Sequence, residues 1–308
     1  MNILIVFRQD IRRTPVQCYA HSYVNEFKAL GHKVTTIGSN HEIQHIYQYD
    51  PLLLNTIDFI LEIENGRDED GNLPFQLANF ETSPHIPKAV LLIDSHGHPD
   101  LHQLISKHYD HVFFAVWARR DLFKDHESAH WCPNTTDLKW FGYENFKHIP
   151  KKNDIVFIGS KKGLIRANSL QEICTKNGWI ADIREVVKPR RHRWPVTGEA
   201  MAAAKIGYNR GQKHDGPNQR VMETMAGKLP LLNDLDATDG MSKLFVNGKH
   251  YIGYDKSHSS DLEEKLYYLL DNPMKAEHIA LAGYNEVRDN HLVKHRVKQI
   301  SEICNLGV

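Results

Sequence analysis

Four residues in one short stretch have the types and spacing for nucleotide chemistry: Asp215, Asn218, Arg220 and Glu223. Seven residues separate the two acids, and the arginine stands between them. A carboxylate about one turn inside a helix can bind a ribose diol, and a cation beside it can bind phosphate. The free N–H groups of a helix start favour the same anion. This chemistry needs a strand, a loop and a helix in that order. The chain supplies an apolar run over 206–208 ending at Asn209, a polar loop, a helix pattern from Asn218 to Gly227, and a second apolar run over 229–232. In open α/β sheets, ligands sit beyond the carboxyl ends of strands at such junctions. The plainer alternative is an acid that favours the helix dipole, with Glu223 on a solvated face.

Three further segments could carry chemistry. In FIGSKKGLIRANS a strand ends at Gly159 and Ser160, followed by Lys161, Lys162 and Arg166 before a helix. Backbone N–H groups and cations at a helix start suit a diphosphate, or the segment is a solvated basic turn. No GxGxxG or Walker A spacing occurs, so a dinucleotide enzyme or P-loop NTPase lacks support. Asp94-Ser95-His96-Gly97-His98 follows an apolar run. It could bind a divalent metal in a hydrolase, present a neutral His96 to a substrate hydroxyl or pyrophosphate, or be a plain loop. The segment KPRRHRW over 188–194 joins four fixed positive charges to an aromatic ring. It could dock a nucleic-acid backbone or a phosphorylated acceptor, or be a solvated loop.

The elements that must position these residues alternate. Strands are expected over 2–7, 34–37, 59–63, 89–93 and 112–116, and helices over 14–30, 99–108 and 118–124. A polar excursion fills 64–87. A turn-rich stretch over 132–154 reads as a linker. The βα alternation then restarts: strands over 155–158, 180–186, 206–208, 229–232 and 251–254, and helices over 167–176, 196–204 and 218–226. From 261 to 304 the pattern is helical, broken near Pro273 and Asn290. A βα alternation predicts parallel sheets. The expected domains are 1–150 and 151–285, with a last helix over 286–308 that can pack back on the first domain.

The totals agree with a soluble pair of domains. The chain has 308 residues, 41% hydrophobic and 25% charged. Lys plus Arg and Asp plus Glu number 38 each, so no global field attracts nucleic acid or membrane. The opening MNILIVF is too short for a signal sequence, and no apolar run approaches the roughly 20 residues that span a bilayer. The four cysteines are scattered without a CxxC, as expected for free thiols in the cytoplasm.

From residue 89 onward the chain resembles the CgeB-type, spore-maturation-protein-like glycosyltransferases of the GT-B fold, relatives of the retaining family-four-type enzymes. The matching pieces are LLIDSHGH (91–98), HVFFAV (111–116), HWCPNTTD (130–137), DIVFIGS with Arg166 (154–166), AAAKIGYN (202–209), DGPNQRVMETMAGKLPLLND (215–234) and ALAGYNEVRDNHLVKHRVKQI (280–300). The resemblance implies two facing, doubly wound Rossmann-like domains with a C-terminal helical tail. It implies a nucleotide-diphosphate sugar as donor, a UDP-sugar first, with no prosthetic group and no bound metal. Arg166 and a neighbouring lysine, Lys161 or Lys162, would hold the diphosphate, with Asn218 and Arg220 nearby and Glu223 on the ribose; Gly159, Ser160 and Asn209 complete the donor-binding candidates. His96, Asp215 and Arg166 are the catalytic candidates. Asp215 stands where the family has its first glutamate. That departure motivates a second reading, a nucleotide-binding or structural protein without turnover. The acceptor stays open among a protein, a glycan, a small molecule and a modified DNA base.

Overall fold

The N-terminal residues Asn2–Val6 form strand β1, because each of Ile3, Leu4, Ile5 and Val6 finds an apolar neighbour on one face of a sheet or the other. The computed structural model describes residues 1–9, 19–44, 51–64, 85–95, 97–159, 167–185, 194–211, 216–235 and 240–307. The chain divides into two compact units: Met1–Pro133 with Val293–Val308, and Asn134–Leu292.

In the first unit six strands form one parallel sheet in the order β2-β1-β3-β4-β5-β6. They are β1, β2 (Lys33–Ile37), β3 (Phe59–Ile63), β4 (Lys88–Leu92), β5 (His111–Phe114) and β6 (Ala129–Trp131). Ile3 and Ile5 enter a cluster with Tyr23, Phe27, Phe113, Val297 and Ile300. Leu4 and Val6 enter another with Ile60, Val90, Ile105 and Phe114. Alternate residues of one strand are thus buried on opposite faces, as in a parallel sheet covered on both sides. Helix Tyr19–Ala29 and the C-terminal helix Val293–Ile303 cover the first face, and helix Pro99–Ser106 covers the second.

The second unit has a five-stranded parallel sheet in the order β11-β10-β9-β7-β8. Its strands are β7 (Asn153–Gly159), β8 (Ala181–Glu185), β9 (Ala204–Asn209), β10 (Leu231–Asp234) and β11 (Ile252–Tyr254). Ile155, Phe157, Ile206 and Tyr208 pack with Leu262 and Leu266 of helix Ser259–Asp271. Val156 and Ile158 pack with Ala200 and Met201 of helix Trp194–Ala202. Helix Pro273–Asn290 contributes Ala276 and Ile279 to the first cluster, and Val287 to a third beside Met222 and Met225.

Most expected elements appear within a few residues of their predicted bounds, and the helical breaks at Asn272 and His291 lie where the sequence reading set them. Three departures have local causes. The helix expected over 118–124 is a 3-10 helix, Trp117–Phe123, in which Arg119 N–H donates to Val116 C=O at 3.0 Å. The turn-rich linker holds two one-turn helices, Leu138–Phe141 and Tyr143–Phe146. Asp137 caps the first by accepting from Lys139 N–H at 2.8 Å. Strand β6 was not expected, since three residues carry no periodicity. It is held by pairing with β5, Val112 opposite Ala129. Among the described residues Cys132, Cys174 and Cys304 are free thiols, and burial raises the Cys132 thiol to about 11.

Candidate functional site

In the second unit the chain runs from β7 to β8 on one side of the sheet and then returns to β9 on the other. The strand order therefore reverses between β7 and β9. Such a reversal opens a crevice beyond the carboxyl ends of the two strands, the usual ligand position in open α/β sheets. β7 ends there at Gly159 and β9 at Asn209.

The loop leaving β9 returns through Gly216 and Pro217 to helix Gln219–Ala226. Gly216 has φ of +72°, a conformation that side chains disfavour. Buried Asn134 holds this turn, its Nδ2 donating to Pro217 C=O at 3.3 Å. Asn218 is the N-cap, with its Oδ1 accepting from Val221 N–H at 3.3 Å. The helix buries Val221, Met222, Met225 and Ala226 and lies very close to β9. A Cβ at Gly207 would stand 2.4 Å from Thr224 Cγ2, so only glycine permits that approach.

This packing sets the polar face. Asn209 and Asn233 lie opposite each other on β9 and β10, and Asn209 Nδ2 donates to Asn233 Oδ1 at 2.6 Å. Asn218 Nδ2 reaches to 3.5 Å from Asn209 Oδ1. Two residues further on, the Arg220 guanidinium donates from Nη1 to Glu223 Oε2, about one helical turn ahead. Their side chains are 21% and 5% exposed. Arg220 Nε is buried and has no hydrogen-bond partner among the described residues. A buried carboxylate stays charged only when paired, and Arg220 provides that pairing.

Asp234, at the end of β10, joins three strand ends. It accepts from Gly211 N–H at 3.1 Å and from Lys256 Nζ at 3.2 Å, beyond β9 and β11 respectively. Burial raises its pKa, against the lowering effect of Gly211 N–H, Lys256 and Arg210. Beneath it Tyr254 donates to the Tyr208 hydroxyl at 2.8 Å, and the two rings stack at 5.5 Å.

Of the sequence-predicted residues the structure brings Asn209 and Asn218 together, pairs Arg220 with Glu223, and puts Gly159 at the end of the neighbouring strand. His96, Ser160, Lys161, Lys162, Arg166 and Asp215 lie outside the described residues, as do residues 188–193 of the basic segment. Among the described residues no three His, Cys, Asp or Glu side chains are grouped to hold a metal ion. Sequence reasoning missed Asn134, Asn233, Asp234 and Lys256. Asp234 carried a signal, an acid just after an apolar run, but the strand was read as ending at Leu232.

Two parallel sheets, each with helices on both faces, and a polar face at the strand-order reversal of the second define a protein with paired Rossmann-like units. The chain belongs to the glycosyl transferase-like family, whose match covers residues 149–302. No curated protein matches by sequence. Solved structures share the fold. An α-glucosyltransferase in complex with UDP and a 13-mer DNA containing an HMU base is 14% identical, over 99% of each chain, with a TM-score of 0.68. Anabaena HepE in complex with UDP and glucose is 12% identical over 100% of each chain, with a TM-score of 0.61. Sucrose-phosphate synthase from Thermosynechococcus elongatus is 9% identical, over 99% of this chain and 98% of that one, with a TM-score of 0.62. These neighbours are glycosyltransferases of the GT-B type, and sugar transfer is the activity that family and fold support together. Among the described residues no helix is long and apolar enough to cross a membrane.

Proposed function

We propose that the protein is a CgeB-like, cytoplasmic glycosyltransferase that moves a sugar from a nucleotide-diphosphate donor to an acceptor hydroxyl, with retention and without a metal. The observation that carries this reading is the buried Arg220–Glu223 pair at the switch point, with an Arg220 N–H left over for an anion. Glu223 receives the ribose diol. Arg220, Lys161, Lys162 and Arg166 neutralise the diphosphate, aided by the N-terminal dipole of helix Gln219–Ala226. A UDP-sugar is the favoured donor, because HepE and the α-glucosyltransferase were solved with UDP or UDP-glucose.

The reaction follows from those roles. The C1–O bond breaks, and the diphosphate leaves with the electron pair. Cations stabilise that developing charge. The acceptor oxygen attacks C1 from the same face, and its proton passes to a leaving-phosphate oxygen. Asp215 contacts the donor sugar, and His96 is the catalytic candidate of the N-terminal unit. The acceptor class stays open among protein, glycan, small molecule and modified DNA base.

Calorimetry with UDP, GDP, ADP and UDP-glucose, paired with an assay of UDP-glucose hydrolysis, tests the reading. One nucleotide is expected to bind wild type, and Glu223→Ala to lose both binding and hydrolysis. Binding without turnover against many acceptors would favour a nucleotide-binding protein. Undiminished activity in Glu223→Ala and Arg166→Ala would refute the assignment.

A further inference from the structure

We propose that Glu64 and His102 are positioning residues for sugar transfer, holding residues 93–95 at the end of β4 against the start of helix Pro99–Ser106 in one arrangement. This rests on the function proposed above. Glu64 follows β3 directly and is 3% exposed. Its Oε2 accepts from Ile93 N–H at 2.5 Å and from Asp94 N–H at 2.9 Å, the residues that leave β4. Its Oε1 lies 3.5 Å from His102 Nε2. His102, on helix Pro99–Ser106, has no exposure, and its Nδ1 is 3.0 Å from Ser95 Oγ. Ser95 is equally buried. Gly97 N–H donates to Asp94 C=O at 2.8 Å, and His98 is the N-cap of the helix. The chain is thus pinned at residues 93–95 and again at Gly97.

A buried carboxylate is an expensive way to fill space, since its desolvation must be offset by paired groups. Glu64 meets that condition. Burial works to raise its pKa, but His102 and the Asp94 and Ile93 amides outweigh it and hold the carboxyl below its usual range. Two of those groups are main-chain amides at a strand end, which would otherwise lack partners. The carboxylate therefore fixes backbone. Ser95, His102 and Glu64 lie in the order of a nucleophile, base and acid, but a serine without exposure cannot meet a substrate. The row supports the end of β4 from behind.

Glu64→Ala, Glu64→Gln and Ser95→Ala, each compared with wild type, test the proposal in three readouts. These are kcat and KM for UDP-glucose hydrolysis, calorimetric affinity for UDP, and amide exchange of the 93–98 segment. Glu64→Ala is expected to lower kcat by about a hundredfold, the scale of an ångström misplacement. UDP affinity should hold, and exchange at 93–98 should quicken. Glu64→Gln restores much of kcat, because its amide oxygen can still accept both N–H groups. Ser95→Ala shifts kcat the same way by less, and decides the matter if Glu64→Ala does not fold. Wild-type kcat in Glu64→Ala and Ser95→Ala overturns the proposal, as does unchanged exchange. So does an equal loss of UDP affinity and kcat. A wild type that binds no nucleotide defeats the function reading instead, and the exchange result then decides the positioning role.

Discussion

The carboxyl edges of the two sheets use buried acids in different ways. In the first unit Glu64 gives one oxygen to two main-chain amides, Ile93 and Asp94. In the second unit the contacts run mostly from side chain to side chain: Asn209 to Asn233, Arg220 to Glu223, Lys256 to Asp234. A carboxylate bound to its own backbone cannot let go without deforming the chain. A side-chain pair can exchange one partner for a ligand group and keep the fold. The first edge is therefore fixed through main chain, and the second through side chains that can change partners.

Breaking the second edge should have the largest effect. Glu223→Ala leaves Arg220 mostly buried without its partner, which for buried pairs costs about 3–5 kcal/mol. Urea denaturation should register that loss, and nucleotide binding should vanish with it. Glu223→Gln keeps the shape and a weaker hydrogen bond, and should fold while still failing to bind. Next, Gly207→Val forces a side chain against Thr224 and Leu229 and should cost about 1–3 kcal/mol by denaturation, displacing the helix that carries the pair. Asn218→Ala removes the cap and should cost about 1 kcal/mol, with a modest loss of nucleotide affinity by calorimetry.

The smallest effect sharpens the comparison through pH. Burial raises Asp234 above its ordinary 3.8, so the folded state binds its proton more tightly than the unfolded chain does. Its stabilising effect is complete below 3.8 and is lost as pH rises through the folded value. At neutral pH its charge is a standing cost. Asp234→Asn, which mimics the neutral acid, should therefore melt higher than wild type at pH 7, and the gap should close as pH falls toward about 3.5, by calorimetric scans. Glu64 has the opposite sign. Its depressed pKa stabilises above the ordinary value of 4.5 and fails as pH falls below it.

The fold was largely legible because its strands are continuous apolar runs. In β3, FILEI buries all five residues, the pattern of a parallel strand covered on both faces. The three-residue β6 was not legible, because pairing with β5 defines it rather than its own composition. At the site, Asn218 and Gly227 announced the helix ends by residue type alone. The Asn209–Asn233 bond could not be read, since it follows from the register of β9 on β10. Glu64 was hidden for a related reason. It opens a polar stretch, and its partners at 93, 94 and 102 are neighbours only once β3 and β4 pair.

The final helix has a consequence for how the protein is made. Val293, Val297, Ile300 and Leu306 complete the same apolar cluster as Ile3, Phe7 and Tyr23. On the ribosome, the first sheet emerges long before those residues exist, with part of one apolar face uncovered until residues 293–306 are made. The amino-terminal sheet must wait for residues 293–306, so a stop codon near residue 290 would leave a nascent product prone to clump.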